Sequence, residues 1–386
     1  MAKQKKKVRM IIFISLTILL IGGAAVGIYL WQRNKTAPYD SYAVLYTGTL
    51  NSNAATEYLP YTDGFVKVNR DGAEATNSQG SVIWNVSFNM NHPVASVCGD
   101  YVAVGDCGNR TVYIMDGTGA VYTKNVPYPV SEVEVAMAGV AAVRMNDGMT
   151  DYIQIIDRSG EVLVDIKTLQ NKDGFPIDIA LSWDGTKLVT SYLVMQDGEA
   201  GGWLTFYNFG DVGQNFSNNL TGVFKFDEVV PQITFLDNET LCAFQKEGIT
   251  LYTVPELPEL VGEVKMTEPI LHACYSDKYI AIMTDNTKAG TVSRTRIYDK
   301  SLKMVFDRNC TEDFKAIVIS GKDIVFYHPS SCLILRFDGT VKINTAFPDM
   351  VVKRIYPVNG NDKFLLLEDQ QVSTIQLIHT KEGNIK

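Results

Sequence analysis

From residue 42 onward the chain is patterned in short runs of four to eight residues, alternating or β-branched. The runs are bounded by Asp-Gly, Asn-Asp-Gly, Ser-Gly and Ser-Asp pairs, and no 3.6-residue period persists, so the pattern predicts strands joined by tight turns. One strand-and-turn unit recurs eight times: AEATNSQG, VYIMDGTG, IQIIDRSG, LTFYNFGD, ITLYTVPE, TRIYDKSL, LILRFDG and STIQLI. The strand ends fall at Asn77, Asp116, Asp157, Asn208, Thr253, Asp299, Arg336 and Gln376, spaced 39, 41, 51, 45, 46, 37 and 40 residues. A period in the forties with four strands per unit is the signature of a β-propeller. Residues 94–98, 101–106, 111–116 and 120–126 read as strands A (inner) to D (outer) of one unit. The last unit ends after its C strand at Ile378, and YAVLY at 42–46 is a spare strand before the first. The expectation is therefore an all-β propeller of about eight four-stranded blades, clasped when the N-terminal strand completes the last blade. Seven blades result if the weak segment 56–60 is not the first A strand.

Ahead of this pattern a charge-free apolar run opens at Met10 and closes at Trp31. At 1.5 Å per residue its roughly 21 residues span a hydrocarbon core of ~30 Å. Lys3, Lys5, Lys6, Lys7 and Arg9 precede it and only Arg33 and Lys35 follow closely, so the positive-inside rule leaves the N-terminus in the cytoplasm. A cleaved signal peptide fits less well, since its apolar region is shorter, about 7–15 residues. The expected organisation is a cytoplasmic tail (1–9), a transmembrane helix (10–31), a stem (32–41), an extracytoplasmic propeller (42–379) and a polar tail (380–386). This makes a single-pass protein of the cell membrane. About nine cytoplasmic residues cannot fold a signalling domain.

Charge divides across this boundary. Seven of the 35 Lys and Arg lie in residues 1–35, leaving 28 against all 43 Asp and Glu beyond them, a net of −15. Such a surface repels nucleic acid and favours cations or basic partners. Four His in the whole chain make a His-built metal site a poor expectation.

No chemical signature survives a motif search. Cys98, Cys107, Cys242, Cys274, Cys310 and Cys332 are scattered over separate units or hairpin ends and contain no C-x-x-C, so they read as buried thiols. The Asp-Gly pairs, such as Asp116-Gly117 and Asp184-Gly185, lack the spacing of a calcium loop and read as hairpin turns. There is no G-x-S-x-G elbow, and His92 and His328 stand in loops beside no marked nucleophile. No catalytic, cofactor or metal residue is assigned.

Connection length is the remaining clue, because propellers bind through loops on a constant scaffold. In the fourth unit 195–202 (MQDGEAGG) and 210–221 (GDVGQNFSNNLT) are long, and both are expected on the long-loop face, away from the chain ends. Trp203, Asn208, Gln214, Asn215, Phe216 and Asn218 are the candidate partner-binding residues.

Residues 78–84 (SQGSVIW) resemble the Gly-to-Trp turn of quinoprotein-type propellers, and 181–188 (LSWDGTKL) the S-P-D-G-x-x-L turn of YVTN-type propellers. Residues 206–215 (FYNFGDVGQN), with the anchor and the whole ectodomain, resemble an uncharacterised family of membrane-anchored propellers of Gram-positive, clostridial-type bacteria. That resemblance implies a tethered propeller and supplies no activity or site. The expected function is a non-catalytic binding or scaffolding propeller of the cell envelope, holding an envelope protein or wall polymer. The alternative is a quinone-dependent or hydrolytic enzyme with its site in the funnel.

Overall fold

The computed structural model describes residues 37–49, 56–196, 198–358 and 362–379. They form eight four-stranded antiparallel sheets, the blades of a ring. Seven follow chain order, at 57–87, 93–125, 130–169, 175–226, 232–265, 270–310 and 316–346; the eighth joins 354–378 to Ser41–Thr49. Glu57–Tyr61 is the A strand of blade 1, which makes the count eight rather than seven.

Burial explains the hydrophobic pattern. B and C strands are covered on both faces by neighbouring blades, so Tyr101–Asp106 and Lys363–Leu367 are almost wholly buried. The outer strand Val121–Asn125 alternates exposed and half-buried positions, as a sheet edge with one covered face does. The core is accordingly split among the junctions between consecutive blades. Phe326 and Leu335 of blade 7 pack on Phe306 of blade 6, and Phe364 and Ile375 of blade 8 pack on Phe347 of blade 7. The junction of blades 8 and 1 is the thinnest, with Phe65 of blade 1 against Val358, Leu365, Leu367 and Val372.

Ser41–Thr49 closes the ring. It pairs antiparallel with Gln371–Ile378, Ser41 opposite Ile378, as the spare-strand pattern requires. A bulge at Leu45 interrupts the pairing, and the outer strands of blades 1 and 3–7 carry a comparable bulge. Bulges twist an exposed edge away from further pairing. The clasp strand also reproduces a packing relation used elsewhere in the ring. Trp84 lies on Gly119 of the next blade's C–D turn, Tyr122 lies on Gly160, and Tyr46 of the clasp lies on Gly80. Ahead of the clasp, Tyr39 N donates to Lys342 O at 2.7 Å, and the Tyr39 ring stacks on His379 at 4.4 Å.

Each blade sends its A–B and C–D turns to one face and its B–C and D–A connections to the other. Both described chain ends lie on the A–B face. Two expectations about blade 4 are corrected here. Residues 195–202 are not a loop: the paired strands Lys187–Gln196 and Glu199–Asn208 run out to the rung Gln196–Glu199. Residues 210–221 do not share a face with that tip. They follow a C strand and so emerge beside the A–B turn, where Phe209 N donates to Thr186 O at 2.8 Å. The insertion therefore stands on the same face as the chain ends, and the extended hairpin projects from the other. No helix among the described residues is long and apolar enough to cross a membrane; the span expected at 10–31 lies outside those residues.

Candidate functional site: the central channel

The A strands of blades 1 to 6 and their A–B turns line a cavity of about 490 Å³ on the inner side of the ring. Its wall includes the A–B turn residues Gly99, Met137, Trp183 and Asp277, so its mouth opens on the face that carries the chain ends. Period-two alternation places one side chain of each A strand towards the channel and the next against a neighbouring blade. Ser96, Glu134, Asp178, Gln232, Thr234 and Tyr275 reach the cavity in this way. The wall holds the carboxyls of Glu134, Asp178 and Asp277 and no Lys, Arg or His.

These carboxyls are cross-linked between blades. Ser96 Oγ of blade 2 donates to Glu134 Oε2 of blade 3 at 3.0 Å and accepts from Val135 N at 3.2 Å. Burial pushes Glu134 up to about 8, against the Ser96 hydrogen bond and with help from the neighbouring charge of Glu132. Burial also raises Asp178 far above the usual carboxylate range, aided by the charge of Glu132. Asp178 Oδ2 accepts from Ile233 N of blade 5 at 2.6 Å. Arg144 holds Glu132 through Nε at 2.8 Å and turns a second nitrogen to Pro176 O at 2.8 Å. Around the same face the turn carboxylates behave oppositely. Asp116 accepts from Thr118 Oγ1, Thr118 N and Ala120 N, and those hydrogen bonds lower its pKa; Asp157 is lowered by the matching Ser159 and Glu161 contacts. The turn carboxylates thus favour their charged form, whereas burial favours the protonated form of Glu134 and Asp178 in the channel wall.

Such a wall can store a proton, accept hydrogen bonds and attract a cation. Its potential nucleophiles are held inactive: burial pushes the Cys98 thiol up to about 11, and the Ser96 hydroxyl is bonded to Glu134, whose protonated form burial favours; no imidazole lines the cavity. Among the described residues no cluster of three or more His, Cys, Asp or Glu is placed to hold a metal ion. An anionic quinone would meet three carboxyls and no cation in this wall, a poor fit.

The six candidates from the sequence divide. Gln214, Asn215, Phe216 and Asn218 come together on two exposed 3₁₀ turns, Gly213–Asn215 and Ser217–Asn219, with Phe216 38% exposed. Asn208 is buried at the base of this projection, where Oδ1 accepts from Gly210 N at 2.8 Å and Nδ2 donates to Glu256 O at 2.9 Å. Trp203 stands apart on the C strand, opposite Tyr192, with Lys225 Nζ 4.6 Å from its ring centre. The channel carboxyls Glu134 and Asp178 are not among the sequence candidates, although both are charges set inside largely apolar A strands (VSEVEV and FPIDIAL).

No curated protein matches the sequence. In structure the chain is similar to BamB from Moraxella catarrhalis (TM-score 0.54, 12% identity, 89% of this chain and 100% of that one). It is also similar to Sqt1 from Saccharomyces cerevisiae (0.56, 11%, 89% and 100%) and to apo AztD from Citrobacter koseri (0.53, 11%, 79% and 89%). At these identities the likeness establishes the propeller fold. Residues 33–377, the clasp and all eight blades included, match a single family profile, and the chain belongs to DUF5711, a family of unknown function.

Proposed function

We propose that the protein is a binding or scaffolding propeller of the bacterial cell envelope, without catalytic activity. It is held at the cell membrane by a single span at residues 10–31, with its N-terminus in the cytoplasm and the propeller outside. The observation that carries this reading is the convergence on one face of the acidic channel mouth, the rim carboxylates of the C–D turns and the exposed Gln214–Phe216 projection. The net charge of −15 beyond residue 35 favours a partner with a basic surface. A propeller of similar fold, Sqt1 from Chaetomium thermophilum, is bound in its structure to the N-terminus of ribosomal protein L10 (TM-score 0.50, 11% identity). The stem enters on this same face, and residues 32–40 reach at most about 30 Å when extended. The partner then occupies a membrane-proximal gap, which suits an envelope protein better than a wall polymer. Photo-crosslinkers placed at Phe216, at Met137 and, on the opposite face, at Gly148 in the full-length protein in its own membrane test this reading. Defined adducts from Phe216 and Met137 with none from Gly148 support it; adducts from Gly148 alone overturn it.

One observation favours the second reading, a hydrolytic enzyme with its site in the funnel: carboxyls that keep a proton near neutral pH are the kind used as general acids. Turnover of chromogenic glycosides or esters that is lost in Glu134→Gln would establish it.

A further inference from the structure

We infer that the cleft between blades 4 and 5, on the face opposite the chain ends, binds a neutral oligosaccharide. The inference goes beyond the proposed function and depends on neither the membrane span nor the partner of the other face.

The cleft encloses about 620 Å³, larger than the channel cavity and within the range of ordinary ligand sites, about 300–1,000 Å³. One wall is the outer strand of blade 4, Leu220–Phe226; the other is formed by Gly248–Thr253 and Glu259–Lys265 of blade 5. Its lining includes the B–C turn residues Lys246 and Glu247 and the D–A residues Asp227 and Glu228, so it opens away from the stem.

The floor is aromatic. Phe224 stands opposite Leu204 and Phe226 opposite Gly202, so alternation turns both rings toward blade 5. The ring centres of Phe224 and Tyr252 are 4.7 Å apart, and Phe206 packs against both. Tyr252 is 2% exposed, yet its hydroxyl has no hydrogen-bond partner among the described residues and is not sealed from solvent. Only the cleft reaches it, so water or a ligand supplies the missing bond. Beside it Glu263 is paired opposite Thr250, whose Oγ1 donates to Gln245 Oε1 at 2.8 Å and orients that amide at the rim.

These features select the ligand. The C–H face of a pyranose carries slight positive charge and lies flat against an aromatic ring, whose face is negative. Its hydroxyls need donors and acceptors side by side. Four carboxyls and three ammoniums line the cleft, with Lys265 Nζ 3.4 Å from Glu263 Oε1. Charge so nearly balanced gives neither an anion nor a cation a net advantage. A peptide strand would need a free sheet edge, and a bulge in each of the two outer strands turns that edge aside.

The test is saturation-transfer NMR on the full-length protein in a detergent without a sugar headgroup. Maltotriose, cellotriose and tri-N-acetylchitotriose are the probes, with a capped tetra-alanine peptide as the competing class. At least one trisaccharide should bind saturably, its ring C–H protons receiving the most saturation. Tyr252→Phe, which removes only an unpartnered hydroxyl, and Phe224→Leu should each weaken that binding about fivefold. Val121→Ala, on the outer strand of blade 2, should leave it unchanged. If Phe224→Leu lowers the melting temperature, Tyr252→Phe decides alone. No saturable trisaccharide binding up to about 10 mM overturns the inference, as does binding unchanged in Tyr252→Phe or binding of the peptide alone.

Discussion

Tyr46 lies so close against Gly80 that a Cβ added to the glycine would stand 2.1 Å from Tyr46 Cε2. Gly80 also has φ +80°, a backbone state that side-chain-bearing residues rarely adopt. The clasp strand thus fits a turn of blade 1 that only glycine can form, across the junction with the thinnest core.

Gly80→Ala should therefore cost more than backbone strain alone. Gly339 is the matched control, with φ +85° and nothing within 4 Å of an added Cβ. Gly339→Ala should cost about 1 kcal/mol from strain. Gly80→Ala should roughly double that loss and also raise hydrogen exchange in Ser41–Thr49 and Gln371–Ile378. Equal thermal shifts in the two variants would show that Tyr46 accommodates the methyl and that the contact contributes little.

Lys342 is 8% exposed and ion-paired to both Asp323 and Asp362, while Tyr39 donates to Asp362 at 2.5 Å. Lys342→Ala leaves two half-buried carboxylates facing each other, which should cost about 3–5 kcal/mol. Lys342→Ala with Asp323→Asn should recover part of that loss, because neutralising one carboxylate removes their mutual repulsion and leaves a single unpaired charge. Thermal unfolding of the single and double variants decides the matter; a double variant no better than the single would place the loss in packing.

Glu134 makes a pH prediction with a definite sign. Its native pKa of about 8 stands above the ordinary 4.5, so between these values the folded chain keeps a proton that the unfolded chain has released. Its contribution is complete below about pH 4.5, falls as the pH rises, and is gone above about 8, at no more than ~1.4 kcal/mol per pH unit. Glu134→Gln should flatten the decline in melting temperature from pH 5 to 8 without lowering the value at pH 5. A parallel decline in wild type and variant would place the titration elsewhere.

The orientation follows from the positions of the ends. With a lipid-proximal quencher in intact protoplasts, single-Cys reporters at Asn218 and Gly339 should be quenched alike, and both more strongly than one at Gly148. Stronger quenching at Gly148 would show that the A–B face points away from the bilayer.

The proportion of this architecture legible beforehand reflects which interactions are local. Asp-x-[Ser/Thr] turns at Asp116, Asp157 and Asp299 are made by residues within four positions of each other, so their spacing alone marks the blade repeat. The spare strand at 42–46 and the incomplete last unit likewise pointed to each other, because an unpaired edge must be satisfied somewhere. The signal failed where a side chain's meaning depends on another blade. Glu134 and Asp178 are isolated charges in the sequence, and only closure of the ring brings both to one cavity. Residues 210–221 looked like partners of 195–202 because both are long; their placement at opposite ends of blade 4 follows from strand direction. Trp203 and Asn208 share a strand with the projection's base, yet one packs beneath Lys225 and the other is buried against Glu256. Strand, turn and repeat were determined by the sequence itself, since hydrophobic period and turn chemistry act over a few residues. Which face carries the channel mouth, the chain ends and the projection was decided by the tertiary structure alone, because those relations join residues distant in the sequence through the closed ring.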